Sequence, residues 1–213
     1  MTFIMESIYF KMLLFTVLSL AILPEAMSSS IVKSFEENQV VPDVIPVAPK
    51  KALQIIYPSG IEVNEGREQT PTNVKNIPSV DWETEDGSYY TLVMTDPDAP
   101  SRANPIRREF LHWLVVNIPG SDVDNGVTLV EYVGSGPPQG TGLHRYTFLV
   151  YKQELGKIEF TEPKVSKTTR EGRPEFRIAK FAEKYHLGDP IAGNFYQAQY
   201  DDYVPTVHKQ LGL

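Results

Sequence analysis

The chain has 213 residues, of which 41% are hydrophobic and 22% are charged, a composition typical of a globular protein with an ample core. Its formal net charge of -7 repels phosphate backbones and therefore argues against a nucleic-acid partner. The absence of cysteine excludes disulfides, thiol catalysis and thiolate metal sites.

The first 28 residues are predicted to be a signal peptide, so we expect a secreted protein. Residues 12–23 read MLLFTVLSLAIL, an apolar run that is too short to span a bilayer, which takes about 20 residues. Ala26 and Ser28 offer small side chains at the -3 and -1 positions of a cleavage site before Ser29. An uncleaved membrane anchor is the alternative.

Residues 29–50 are predicted to form a short helix and an extended arm in front of the main domain. The segment 30–39 has a serine available as N-cap, and Pro42 follows as a terminator. Prolines punctuate residues 43–50, which favours extended backbone. No internal repeat or long linker follows, so residues 51–213 are predicted to be one domain.

The remaining chain alternates short apolar runs with turn residues, which predicts an antiparallel β-sandwich rather than alternating βαβ units. Helical periodicity in the C-terminal third predicts a helix around residues 178–185, and a short closing helix is expected at 203–211. The predicted strands span residues 53–57, 89–94, 111–118, 127–132, 144–151 and 191–200.

Two of these runs, 111–118 and 144–151, are apolar on both faces, which predicts central strands. Strict alternation puts His112 on one face of its strand and both Leu111 and Trp113 on the other. A lone buried histidine is more often a hydrogen-bonded core residue than a functional one. Its polar ring still needs partners, because unpaired buried polar groups are costly.

Two polar segments could carry chemistry. Residues 95–102 (TDPDAPSR) follow an apolar strand, and their prolines would hold the Asp96 carboxylate rigidly above the strand end. The alternative there is an Asx–Pro turn with solvated aspartates. Residues 134–146 (GSGPPQGTGLHRY) form a glycine-rich loop that can present backbone N–H groups and that delivers His144 and Arg145 to a core strand.

Catalysis is the second interpretation, because no reactive constellation stands out. The four histidines lack His-Glu-x-x-His spacing, so a helix-borne zinc site is not expected. Ser135 does not follow a Gly-x pair, because Val133 stands where a nucleophile elbow needs glycine. We therefore predict no catalytic residue, no metal and no cofactor.

Together these motifs resemble the phosphatidylethanolamine-binding protein family, and in particular its secreted, odorant-binding-like insect members. The resemblance runs from about Val41 to the C-terminus in the family's order. It is carried by DPDAPSR at 96–102, LHWLVVN at 111–117, the loop 134–146, PIAGNFYQ at 190–197 and DDYVP at 201–205.

The resemblance implies a mainly β (β-rich α+β) fold, in which one large and one small antiparallel sheet pack together and C-terminal helices lie near a small anion pocket. His208 stands where mammalian relatives commonly have a tyrosine, and Phe110 where a tryptophan is frequent. Carried over to this chain, the ligand-binding residues are Asp96, Pro100, His112, Pro138, His144, Tyr146 and His208.

We therefore expect a secreted, monomeric, non-catalytic protein that binds phosphate, phosphoryl-ethanolamine or phospholipid head groups. Asp96 should accept a hydrogen bond from one histidine and leave the other ring nitrogen free for the ligand. A protonated imidazole would then hold the phosphate, so affinity should rise as the pH falls. The alternatives are a protein-interaction inhibitor of the protease or kinase-pathway type and a carrier of small odorant-like ligands.

Overall fold

The computed structural model describes residues 23–213, with side chains from residue 30 onward. Residues 1–22 of the predicted signal peptide therefore lie outside the described residues. The described helices are α1 (Leu23–Glu37), α2 (Val40–Asp43), α3 (Ile178–Lys184) and α4 (Val204–Gln210), with a 3₁₀ turn at Val123–Asn125. The described strands are β1 (Lys51–Ala52), β2 (Gln54–Ile56), β3 (Ser79–Asp81), β4 (Tyr89–Asp96), β5 (Phe110–Pro119), β6 (Val127–Val130), β7 (His144–Gln153) and β8 (Ala192–Ala198).

A six-stranded sheet in the order β1-β8-β7-β4-β5-β6 forms the centre of the fold, and β2 and β3 form a separate two-stranded sheet. The predicted fold, with one large and one small sheet, is confirmed. The large sheet is mixed rather than wholly antiparallel, because β1 pairs with β8 in parallel. β5 and β7, which the sequence predicts to be central, both have a neighbour on each side.

Two hydrophobic cores cover the two faces of the large sheet. On one face Ile55 of the small sheet shares a core with Met94. On the other face Phe35 of α1 and Phe181 of α3 share a core with Leu149. Successive strand residues point to opposite faces, so strands between two cores are apolar on both sides. Each fully buried side chain of this size contributes about 1.5–3 kcal/mol to folding.

A β-bulge takes His112 out of strict alternation. Met94 pairs with Trp113, whereas the next residue, Thr95, pairs with Leu111, so His112 is an extra residue with no opposite partner on β4. Leu111 and Trp113 consequently lie in opposite cores, and the prediction that they share a face is wrong. A bulge re-aims the side chain it carries, which here is the histidine.

The N-terminal helix starts earlier than the sequence predicts. α1 is already helical before Ser30, the predicted start, and Gln39 with a φ of 57° follows its end. The predicted cleavage site after residue 28 falls within α1. Cleavage there would leave Ile31 and Phe35, which pack on the sheet, in the mature chain. The boundaries at residues 28 and 50 stay predictions.

A buried arginine ties the end of this N-terminal segment to the strand β7. Arg145 is fully buried, and it donates from Nε and Nη2 to the two carboxylate oxygens of Asp98, at 2.8 and 2.6 Å. Its Nη1 donates to the carbonyls of Asn38 and Gln39, and its Nη2 also donates to Asp43 at 2.8 Å. All five N–H groups of the guanidinium are thus satisfied.

Replacing Arg145 by methionine is expected to lower the free energy of unfolding by about 3–5 kcal/mol, because the buried Asp98 would keep only Arg108, at 3.6 Å, as a charge partner and two backbone carbonyls would lose their donor. Urea unfolding of the purified chain measures this. Lys33→Met is the matched control, since its ion pair with Glu37 is exposed and should contribute no more than about 0.5 kcal/mol. A loss below about 1 kcal/mol for Arg145→Met would contradict the anchoring role.

Candidate functional site

The ends of three central strands meet around a cavity of about 330 Å³. Asp96 is the last residue of β4, His144 is the first residue of β7, and His112 lies near the start of β5. Because β4 is antiparallel to both neighbours, its carboxyl end lies beside their amino ends. The sheet itself therefore brings the acid and the two imidazoles to one edge.

The residues predicted to bind a ligand converge on this cavity. Pro100 comes from the segment after β4 and follows a cis peptide bond, Pro138 comes from the glycine-rich loop, and His208 comes from α4. The predicted residues that line the cavity are Asp96, Pro100, His112, Pro138, His144, Tyr146 and His208. That they bind a ligand stays a prediction.

Asp96 and His144 form a buried ion pair. Nδ1 of His144 lies 2.8 Å from Oδ2 of Asp96, and the side chains are only 1% and 6% exposed. The other carboxylate oxygen, Oδ1, accepts a hydrogen bond of 2.7 Å from the backbone N–H of Asp98. The carboxylate is therefore held by the backbone on one side and by the imidazole on the other.

Thr141 contacts the second ring nitrogen of His144. Its hydroxyl donates to the carbonyl of Pro138 at 2.7 Å, and it also lies 2.9 Å from Nε2 of His144. A hydroxyl has one proton, and a carbonyl can only accept, so Nε2 must donate to the hydroxyl. Both ring nitrogens then carry protons, and His144 is an imidazolium beside the carboxylate of Asp96.

The electrostatics of the site agree with this assignment. Burial of the ring opposes its charge, but the negative charge of Asp96 and the hydrogen bond to it outweigh that effect and raise the pKa of His144 above 6.5. The expectation that the second nitrogen of this histidine is free for a ligand is wrong, because Thr141 occupies it.

His112 is held in the opposite protonation state. Its Nδ1 lies 2.8 Å from the carbonyl of Val133, whose own N–H donates back to the carbonyl of His112 at 3.0 Å. Nδ1 must therefore carry the proton. Burial lowers the pKa of His112 from 6.5 to about 4, so the ring is neutral near pH 7. It packs between the rings of Phe110 and Tyr146, with centroids 5.0 and 5.2 Å away.

The hydroxyl of Tyr146 has no hydrogen-bond partner within the described part of the chain, although Tyr146 is fully buried. The backbone of Gly136 lies near it without meeting hydrogen-bond geometry. Leaving a buried hydroxyl unpaired costs about 1–3 kcal/mol. The oxygen has almost no accessible surface, so a ligand in the cavity does not reach it.

Arginines give the cavity a local positive charge. Arg107 and Arg170 line it, and neither has an acidic partner among residues 30–213. Beneath it, the fully buried Arg173 donates to the carbonyls of Leu111 and His112 at 3.0 and 3.2 Å. Burial lowers the pKa of Arg173 to about 10, so it stays charged at neutral pH. The site is thus cationic although the whole chain is acidic.

Helix α4 closes one side of the cavity against the glycine-rich loop. His208 donates from Nε2 to the carbonyl of Gly136 at 2.9 Å. A Cβ on Gly136 would come within 2.9 Å of Val207, so this close approach requires glycine. His208 therefore lies at the cavity wall, and its Nε2 donates to the loop.

Sequence reasoning missed several residues of the wall. Arg107 and Arg170 have no sequence signal, because each lies in an irregular segment whose path depends on the tertiary fold. Val207 and Leu211 could have been found from the apolar spacing of the closing helix. The remaining wall residues are Ala99, Phe110, Gly136, Val207, Leu211 and Leu213.

No group of three or more His, Cys, Asp or Glu side chains in residues 30–213 is arranged to hold a metal ion. In the same part of the chain, no helix has the length and apolar character needed to cross a membrane.

Known proteins resemble both the sequence and the fold. The family model described as "Phosphatidylethanolamine-binding protein" matches residues 48–197. "Putative odorant-binding protein A5" of Drosophila melanogaster is 42% identical over 176 residues, which cover 83% of this chain and 83% of that protein.

Two solved structures are similar over most of their length. The solution structure of CG7054 has 53% sequence identity and a TM-score of 0.66, covering 81% of this chain and 98% of that chain. Carboxypeptidase Y inhibitor, in a crystal structure with its cognate proteinase, has 27% identity and a TM-score of 0.69, covering 83% and 98%.

Replacing Asp96 by asparagine is expected to destabilise the protein more at about pH 6 than at about pH 9. The pKa of His144 is higher in the folded protein than its unfolded value of 6.5. The ion pair therefore stabilises the fold fully below pH 6.5, and this stabilisation is lost as the pH rises through the folded pKa. Urea unfolding at both pH values measures the difference, with exposed Asp86→Asn as control. Equal losses at the two pH values would contradict the ion pair.

Proposed function

Because this chain belongs to the phosphatidylethanolamine-binding protein family, we propose that it is a non-catalytic protein whose cavity binds a small anion. The proposed ligands are phosphate, phosphoryl-ethanolamine and phospholipid head groups. One observation carries the proposal: the described cavity wall holds two unpaired cations, the guanidinium groups of Arg107 and Arg170.

The two cations act on the oxygens of the ligand. Arg107 and Arg170 attract the anion and can each bind two of its oxygens, because a guanidinium presents parallel N–H groups. Charge-assisted hydrogen bonds contribute about 1.5–3 kcal/mol each, so two or three of them give micromolar to millimolar affinity after association costs.

The same geometry supports a binding role over catalysis. His144 is fixed between Asp96 and Thr141, and the free Nε2 of His112 has no serine or threonine hydroxyl on the described cavity wall from which to take a proton. Ser135 is buried, and its hydroxyl lies 2.6 Å from that of Tyr196. No serine or threonine is among the residues 30–213 that line the cavity.

Two other functions of the same cavity have support from relatives and from its wall. The 42% identical Drosophila melanogaster relative has an odorant-binding name, and Phe110, Val207 and Leu211 make part of the cavity apolar, which suits a small odorant-like ligand. The fold shared with carboxypeptidase Y inhibitor supports a protease inhibitor. Competition between phosphate and an apolar probe, and inhibition of carboxypeptidase Y, test these alternatives.

We also propose that the protein is secreted and that residues 1–28 are its signal peptide, in line with the name of that relative. Expression of the full chain in insect cells is expected to release protein into the medium. N-terminal sequencing of the released protein should begin at Ser29 or within a few residues of it. Retention of the chain in the membrane fraction with its N-terminus intact would contradict the proposal.

Calorimetric titration with phosphoethanolamine near pH 6.5 tests the anion site. The double variant Arg107→Gln/Arg170→Gln is expected to lose about tenfold in affinity, because it removes both unpaired cations of the wall. Arg67→Gln/Arg177→Gln is the matched control, with the same charge change outside the cavity. No binding by the unchanged protein at tens of millimolar ligand, or equal loss in both variants, would overturn the proposal.

A further inference from the structure

The hydrogen bond between His112 and Val133 determines which side of the imidazole can receive a proton. Nδ1 faces a carbonyl oxygen at 2.8 Å and must donate to it. In a neutral ring the other nitrogen, Nε2, then carries a lone pair and is an acceptor. Nε2 has no hydrogen-bond partner in the described part of the chain, and His112 belongs to the cavity wall.

The surroundings of His112 oppose a second proton on the ring. Burial is the largest effect, and the charges of Arg173 and His144 add to it, whereas Asp96 acts in the other direction. Val133, Phe110 and Tyr146 contribute uncharged contacts. The other charged or titratable groups on the cavity wall are Arg107, Arg170 and His208.

We propose that the cavity selects anions that carry a hydrogen-bond donor beside their negative charge, and specifically phosphate monoesters in the singly charged form that keeps a P–OH group. The P–OH donates to Nε2 of His112, while the charged oxygens meet Arg107 and Arg170. This inference rests on the proposed anion site, and it concerns which anion the site prefers.

The chemistry separates the ligands that the proposed function groups together. A phosphodiester, such as the head group of an intact phospholipid, has two unprotonated oxygens and no P–OH. Its unprotonated oxygens and Nε2 of His112 are all acceptors, so no hydrogen bond can form between them. The dianion of a monoester has the same defect. Free head groups and phosphate in singly charged form are therefore favoured over intact lipids.

Methyl phosphate, a monoester, and dimethyl phosphate, a diester, test the inference. Neither has an ammonium group that could add contacts of its own. A phosphate monoester loses its second proton at about pH 6, whereas a diester keeps a single charge from about pH 5.5 to about pH 8. The ratio of monoester to diester affinity, measured by calorimetry, is expected to be at least about tenfold larger at the lower pH. Titration of a protein group such as His144 acts on both esters and leaves this ratio unchanged.

Replacing His112 by phenylalanine is expected to abolish the pH dependence of the ratio, because the ring acceptor is gone. His186→Asn removes an exposed histidine outside the cavity and should leave the ratio as it is. A constant ratio in the unchanged protein, with both esters bound, overturns the monoester preference and leaves the anion site standing. Absence of binding by either ester overturns both.

Discussion

Two buried acid–base pairs at the junction of β4 and β7 fix the end of the sheet where the cavity lies. Asp96 pairs with His144, and two residues later Asp98 pairs with Arg145. Because successive residues of a strand point to opposite faces, His144 faces the cavity while Arg145 faces the N-terminal segment. The segment after β4 is therefore fixed from both sides, and the position of the cavity wall follows from that.

The same junction makes the two histidines chemically different. One nitrogen of His144 faces the carboxylate of Asp96. The other faces the Thr141 hydroxyl, which accepts because its own proton is donated to Pro138. The ring therefore carries a positive charge that Asp96 neutralises. His112 has a carbonyl on one nitrogen and the cavity on the other, so it stays neutral. The positive character of the cavity consequently depends on its arginines, and the free nitrogen of His112 is an acceptor rather than a donor.

Sequence patterns predicted a strand-rich sandwich and its central strands, because buried strands are local signals. The convergence of the acid with both histidines was expected only from the family resemblance. Sequence patterns could not predict the bulge at His112, since an extra residue is visible only against the partner strand. β3 was missed because it has just three residues. Thr141, Arg107 and Arg170 reach the site through irregular loops, whose paths the tertiary fold determines.

Neutron diffraction from a deuterated crystal near pH 7 would locate the protons of His112, His144 and Thr141. The expected map shows deuterium on both ring nitrogens of His144, on the Thr141 hydroxyl pointing to Pro138, and only on Nδ1 of His112. Deuterium on Nε2 of His112, or its absence from either nitrogen of His144, would contradict the assignment of a charged and a neutral histidine.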